Sequence, residues 1–136
     1  LSLHAASDAI RDQIMPVNKR YPLDRLLEAC DVFVRAKKKQ IFFEYILLSG
    51  INDSPEQATL LAQHARRLFA KVNLIPYNKV EGLPYERPSE EAIHLFCRTL
   101  LKAGVRATVR REKGHDIDAA CGQLRLREEM KQPQTS

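Results

Sequence analysis

Cysteine is scarce in this chain of 136 residues, and its three copies, Cys30, Cys97 and Cys121, are an odd number spread widely. No C-x-x-C is present, and no Cys/His pattern with zinc-ligand spacing can be drawn. A disulfide framework is therefore excluded, which points to a reducing, cytoplasmic setting. Long hydrophobic runs are missing too. The longest, Ile41–Phe43 and Tyr45–Leu48, are separated by Glu44 and fall far short of the roughly 20 residues that cross a bilayer. Nothing resembles a signal peptide, and no methionine opens the chain. It starts directly in Leu1-Ser2-Leu3-His4-Ala5, which reads as the middle of a longer sequence, so a fragment is expected.

What is present is ordinary for one globular domain: 44% hydrophobic and 29% charged residues, in a chain too short for two comfortable cores. A net charge of +5 and a pI near 9.3 favour anionic partners, nucleic acid first among them, without specifying one.

The apolar pattern predicts alternating strands and helices. Leu1 to Ala5 alternates as a strand, with Leu1, Leu3 and Ala5 on one face and Ser2 and His4 on the other. Ser7 can cap a short helix that Pro16 stops. Leu23, Leu26, Leu27, Cys30 and Val34 form the stripe of a longer helix, ending in Lys37-Lys38-Lys39. Ile41 to Leu48 reads as a strand buried on both faces, hence parallel. Ser54, Pro55 and Gln57 carry the signature of a helix start with a capping box, followed by the stripe Ala58, Leu61, Ala62, Ala65, Leu68 and Phe69. Val72 to Pro76 is a short strand, and residues 79–88 a loop. Ser89 opens a helix with the apolar face Ile93, Phe96, Cys97 and Leu100, ended by Gly104. Val105 to Arg110 alternates as a last strand. The expected class is α/β: a partial (β/α) barrel of TIM type, with about four mostly parallel strands and outer helices. Residues 1–124 belong to that barrel, and 125–136 form a tail.

Active sites of such barrels collect at the C-terminal ends of the strands. Ser2 and His4 share a strand face there, as ligand-binding groups or as a solvated edge. Glu44, a carboxylate within an apolar strand, calls for a basic partner inside the barrel or a place in the site itself. Asn78 can donate and accept to a ligand, or form a turn. Cys30 and Cys97 lie on helical stripes and read as small hydrophobes. Cys121 lies on no stripe, in Gly114-His115-Asp116-Ile117-Asp118-Ala119-Ala120-Cys121-Gly122-Gln123-Leu124. Asp116 and Asp118 raise its thiol pKa, while Arg110, Arg111, Lys113 and His115 lower it. Of the basic residues, the run from Arg106 to Lys113 is the better candidate to face phosphates, because it adjoins the Cys121 loop.

Taken in order, Ser2-Leu3-His4-Ala5, Arg11 with Met15-Pro16-Val17-Asn18, Phe43-Glu44-Tyr45, Gly50-Ile51-Asn52-Asp53, Asn73-Leu74-Ile75-Pro76-Tyr77-Asn78 and Asp116 to Leu124 resemble the RlmN/Cfr family. These are radical S-adenosylmethionine methyltransferases that modify an adenine of 23S rRNA and, in RlmN, of some tRNAs. The resemblance implies that Cys121 is the cysteine methylated by one S-adenosylmethionine. A second molecule, cleaved at a reduced iron–sulfur cluster, gives a radical that takes hydrogen from the S-methyl group before the carbon adds to the adenine. Ser2, Leu3 and His4 match the cofactor-binding strand, and Asn78 matches a further cofactor contact. A reductase that feeds electrons to the cluster is implied as a partner.

The departures matter equally. The family holds its [4Fe-4S] cluster through C-x-x-x-C-x-x-C, and this chain has no such motif. Its Gly-Glu cofactor segment, glutamate proton acceptor, resolving cysteine and N-terminal RNA-binding region are also missing. The expectation is the C-terminal part of such an enzyme, RlmN-like, inert by itself and prone to self-association through open strand edges. Two other readings stay open: a small α/β enzyme with Cys121 as nucleophile or redox thiol, and a non-catalytic basic RNA-binding module.

Overall fold

A computed structural model of the chain describes residues 1–110. The expectations placed on Cys121, on Asp116 and Asp118, and on the tail at 125–136 lie outside the described residues.

Three helices and three strands alternate after a short N-terminal segment. Helix α1 spans Asp8–Ile14 and is followed by a 3-10 turn at Pro16–Lys19; α2 spans Leu23–Lys37, β1 Phe42–Leu47, α3 Pro55–Leu68, β2 Lys71–Pro76, α4 Glu90–Lys102 and β3 Ala107–Val109. The strands form one sheet in the order β1-β2-β3, all parallel. Sequential neighbours with helical crossovers are what the alternating pattern predicts.

One sheet face carries the helices. Phe43, Tyr45 and Leu47 of β1 and Val72 and Leu74 of β2 pack with Leu27 of α2, Leu61 and Ala65 of α3, and Phe96 and Leu100 of α4 in a single buried cluster. Because α2, α3 and α4 share that cluster, these three helices lie on one side of the sheet, as in a barrel segment. Tyr45 and Phe96 meet with ring centroids 5.3 Å apart. A second cluster, with Ile14, Met15, Ile46, Leu48, Ile75, Tyr77 and Tyr85, involves the C-terminal ends of β1 and β2. There Tyr77 and Tyr85 stack edge to face at 5.8 Å.

Several local expectations change. The N-terminal strand shrinks to one parallel bridge, Ser2 to Glu44. His4 turns into the left-handed region (φ 58°), which breaks the alternation and buries His4 with Leu3 and Ala5, while Leu1 is exposed. Ser7 sits at the start of α1 without a capping bond from its side chain. Ser54 does cap α3 by accepting from the Gln57 N–H at 3.2 Å. Gln57 does not close the box: its Oε1 accepts from the Ala6 N–H at 3.2 Å and ties the N-terminal segment to α3. Phe42 is half exposed, so β1 is not buried on both faces along its whole length. Phe69, expected in the α3 stripe, is the left-handed cap of that helix (φ 55°) and is 79% exposed. The last strand is confined to residues 107–109, shorter than the alternation suggests.

Candidate active site

The site is built on the sheet face turned away from α2, α3 and α4, below the level at which Ile46 and Ile75 are buried with Ile14 and Met15. Side chains alternate along a strand, so the neighbours of the core residues point to the other side. Register aligns them across the strands: Glu44 lies opposite Asn73 and Asn73 opposite Thr108, while Ser2 bridges to Glu44. Four polar residues from four segments thus form one row. Within it the Thr108 hydroxyl donates to Asn73 Oδ1 at 3.0 Å. Glu44 meets Arg110, with 4.0 Å between Oε2 and Nη2 and both side chains about one-third exposed. A pair this long and this wet is weak. The carboxylate has the basic partner expected of it and stays reachable.

The Ser2–His4 segment is fixed beside this row by two devices that sequence reading did not assign. The first is Arg11, 4% exposed. Its Nε donates to the Leu3 carbonyl at 2.9 Å, Nη2 to the Ser2 carbonyl at 3.3 Å and Nη1 to Asn18 Oδ1 at 2.9 Å. Asn18 in turn donates to Asp8 at 2.9 Å and to Asp12 at 2.7 Å, and Asp8 also accepts from the Leu23 N–H at 2.8 Å. The Leu23 amide and the Asn18 side chain hold the Asp8 carboxyl below its usual range, with the Arg11 charge adding to the effect. The second device is Asn52, fully buried. Its amide nitrogen donates to the carbonyls of His4 (2.9 Å) and Ile46 (2.7 Å), and its Oδ1 accepts from the Leu48 N–H at 2.8 Å. Tyr45 donates to the Asn52 carbonyl at 2.7 Å, and burial pushes the Tyr45 hydroxyl pKa upward, so it stays a donor.

His4 itself replaces a backbone acceptor. Its Nδ1 accepts from the Ile46 N–H at 3.0 Å, which assigns the proton of a neutral ring to Nε2. The ring is 1% exposed and Leu3 is fully buried. The described structure thus makes His4 and Leu3 a fixed wall beside the row, with Ser2 half-buried at its edge.

Asn78 follows β2 and is half-buried. Arg87 donates to its Oδ1 at 3.2 Å and to the Tyr77 carbonyl at 3.4 Å, which leaves the amide nitrogen of Asn78 as the group to offer a ligand. Lys79 organises the loop that brings Arg87 back. Its Nζ reaches the carbonyls of Leu83 (3.3 Å) and Tyr85 (3.1 Å) and the Glu86 carboxylate at 2.9 Å. Pro84, Pro88 and Gly82 made residues 79–88 legible as a loop; its internal lysine staple left no periodic signal.

Asn73 and Thr108 were also missed as site residues. A signal existed: each is a polar residue flanked by apolar ones in a short strand, and aligning the strands places both level with Glu44. Cys30 and Cys97 sit half-buried on α2 and α4 and pack against the main core, as expected of small hydrophobes. Burial pushes the Cys30 thiol pKa up, so it stays protonated. Two thiols on separate helices do not make a cluster site, and among the described residues no group of three His, Cys, Asp or Glu is placed to hold a metal. The residues present therefore do not fit an iron–sulfur cluster. None of the described helices is long and apolar enough to cross a membrane.

No family model matches the chain. Individual proteins do. It is 57% identical over 129 residues to a probable dual-specificity RNA methyltransferase RlmN of Akkermansia muciniphila, covering 95% of this chain and 36% of the relative. It is 49% identical over 132 residues to the dual-specificity RNA methyltransferase RlmN of Desulfotalea psychrophila, covering 97% and 36%. A crystal structure of a radical SAM methyltransferase from Sphaerobacter thermophilus superposes with a TM-score of 0.82 at 45% identity, covering 90% of this chain and 36% of that one. A domain of a pyruvate-formate lyase-activating enzyme from Bacteroides vulgatus shares the fold, with a TM-score of 0.66 at 20% identity. The chain spans about a third of the length of the curated relatives it matches. Identity near one-half along almost all of the chain, on a superposable backbone, places it in the RlmN family of radical SAM methyltransferases.

Proposed function

We propose that this chain is the C-terminal part of an RlmN-like enzyme that methylates C2 of an adenine in 23S rRNA and in tRNA, working in the cytoplasm. In this reading Ser2, Leu3, His4 and Asn78 hold S-adenosylmethionine, and Cys121 is the catalytic thiol. The single observation that carries it is the open polar row of Ser2, Glu44, Asn73 and Thr108, flanked by the segments that bear the family's cofactor motifs. A cofactor with a ribose, an amino acid moiety and a sulfonium needs such a mixture of donors and acceptors.

The chain's own residues have definable tasks. Arg11, Asn52 and the His4 imidazole hold the 1–4 wall rigid, which limits reorganisation when a ligand binds. Asn78 donates from its amide nitrogen, while Arg87 fixes that side chain's other end. Cys121 accepts a methyl group: its sulfur forms the new S–C bond as the methyl–sulfonium bond breaks, and the thiol proton passes to a base. Bound S-adenosylmethionine supplies the electrophilic methyl. The cluster and its reductase partner belong to a part of the enzyme other than these 136 residues, and this chain alone is inert and offers open strand edges for self-association.

Two measurements test this. Titration calorimetry of the 136-residue chain with S-adenosylmethionine should show binding that Asn78→Ala weakens; no binding at millimolar ligand would remove the cofactor assignment. In a full-length enzyme carrying this segment, Cys121→Ala should abolish RNA methylation with iron and sulfide content unchanged. Methylation retained there would sink the role of Cys121.

A further inference from the structure

Acidic residues are unevenly spread along the chain. No Asp or Glu occurs between Glu56 and Glu81, or between Glu91 and Glu112. Those windows contain the C-terminal ends of α3 and α4 and the beginnings of β2 and β3. At this end of the sheet, where the strands start, lies a cleft of about 700 Å³ lined by Arg66, Arg67, Lys71, Arg106, Phe69 and Gln40 among others, and Lys71 and Arg106 also line a neighbouring cavity with Asn73 and Thr108 of the polar row. None of its four cations is ion-paired to a carboxylate among the described residues. Arginines in the last turn of α3 suit the helix dipole. That does not account for Lys71 and Arg106, which sit at strand starts.

Nor does it account for Phe69. The residue caps α3 in the left-handed region, where glycine is the favoured occupant, and its ring is 79% exposed at the cleft. Its carbonyl accepts from Gln40 Nε2 at 3.0 Å, which fixes the backbone under the ring. A second half-exposed aromatic, Phe42, lies under Lys71, with Nζ 5.4 Å from the ring centroid. An exposed aromatic on a tethered backbone, among cations with no carboxylate partner among the described residues, is the arrangement that binds single-stranded nucleic acid: phosphates on the cations and a base on the ring.

We propose that this cleft binds single-stranded RNA, with backbone phosphates on Arg66, Arg67, Lys71 and Arg106 and a base stacked on Phe69. It is a second contact, at the strand-start end of the sheet next to the polar row, and it suits a substrate longer than its target nucleotide. The choice of RNA rests on the function proposed above; the geometry of the cleft does not.

The test is fluorescence anisotropy of the 136-residue chain with a labelled oligouridine of about 12 nucleotides, a length within the usual single-strand site size. R66E/R67E/R106E should weaken binding about tenfold or more at low salt and flatten its salt dependence by about 0.7 per lost phosphate contact. K19E/R20E/R25E makes the same charge change elsewhere and should bind nearly as tightly as the parent chain. Phe69→Gly should weaken binding while leaving the melting temperature unchanged or higher, because glycine suits the left-handed cap. Equal losses from both triple variants, unchanged affinity in Phe69→Gly, or no binding at low salt would each overturn the proposal. S-adenosylmethionine binding measured on the same samples keeps the two readings apart: its loss with oligouridine binding intact counts against the active site alone.

Discussion

The two faces of the sheet are made by the same three strands and share almost nothing else. On one, Phe43, Tyr45, Leu47, Val72 and Leu74 lie at 2% exposure or less beneath three helices. On the other, a single residue away along each strand, Glu44, Asn73 and Thr108 form a row, extended by the bridged Ser2, that α2, α3 and α4 do not cover. Burial of the first face supplies the hydrophobic term that holds the fold. The second adds to that term only further along the strands, where Ile46 and Ile75 are buried with Ile14, Met15 and Tyr85, and its polar row is left to answer to a ligand. On that face, stability and function are separated by position along the strand.

The sharpest way to break this comparison is on the helix side. Phe43→Ala should cost about 4 kcal/mol, the usual penalty for removing a buried phenyl ring, read as a shift in the urea midpoint. A loss under about 1 kcal/mol would mean that the face is not the core. Arg11→Met should follow at about 3 kcal/mol, because the carbonyls of Ser2 and Leu3 and the Asn18 oxygen lose their buried donor. Arg11→Met should also loosen the 1–4 wall, seen as faster amide exchange at Leu3 and Glu44.

The open face should behave in the opposite way. The double variant Asn73→Leu/Thr108→Val should leave the unfolding free energy within about 0.5 kcal/mol. It should lower S-adenosylmethionine affinity about tenfold, the equivalent of one or two hydrogen bonds. Destabilisation as large as that of Phe43→Ala would erase the distinction between the faces. The smallest effect is electrostatic. Asp8 has a folded pKa below its unfolded value, so it stabilises the fold at pH above the ordinary carboxylate value of about 3.9. That contribution is lost as pH falls through the folded value. Acid denaturation curves should therefore be flatter in Asp8→Asn, and an identical pH dependence would remove Asp8 from the network.

How much of this was legible depended on the range of the interaction. Ser54 announced its helix correctly, because capping acts within three residues. The Gln57 half of the capping box failed because a distant backbone amide, Ala6 N–H, competed for its side chain. Phe69 failed for a similar reason: hydropathy placed it in the stripe, but the chain must reverse there, and its left-handed backbone turns the ring outward. The N-terminal strand failed because His4 and Asn52, 48 positions apart, take over the hydrogen bonds that a fourth strand would have made.

By itself, then, the sequence determined the alternating elements, the parallel sheet, the structural role of Cys30 and Cys97, and, through its ordered motifs, the family. These follow from short-range periodicity and from residue identity at fixed spacing. Only the tertiary structure decided that Glu44, Asn73 and Thr108 stand in one row, that Arg11 and Asn52 hold the segment beside them, and that four cations and Phe69 meet where the strands start. Register between strands and the partners of buried polar groups are set by packing across many residues, and no local pattern encodes them.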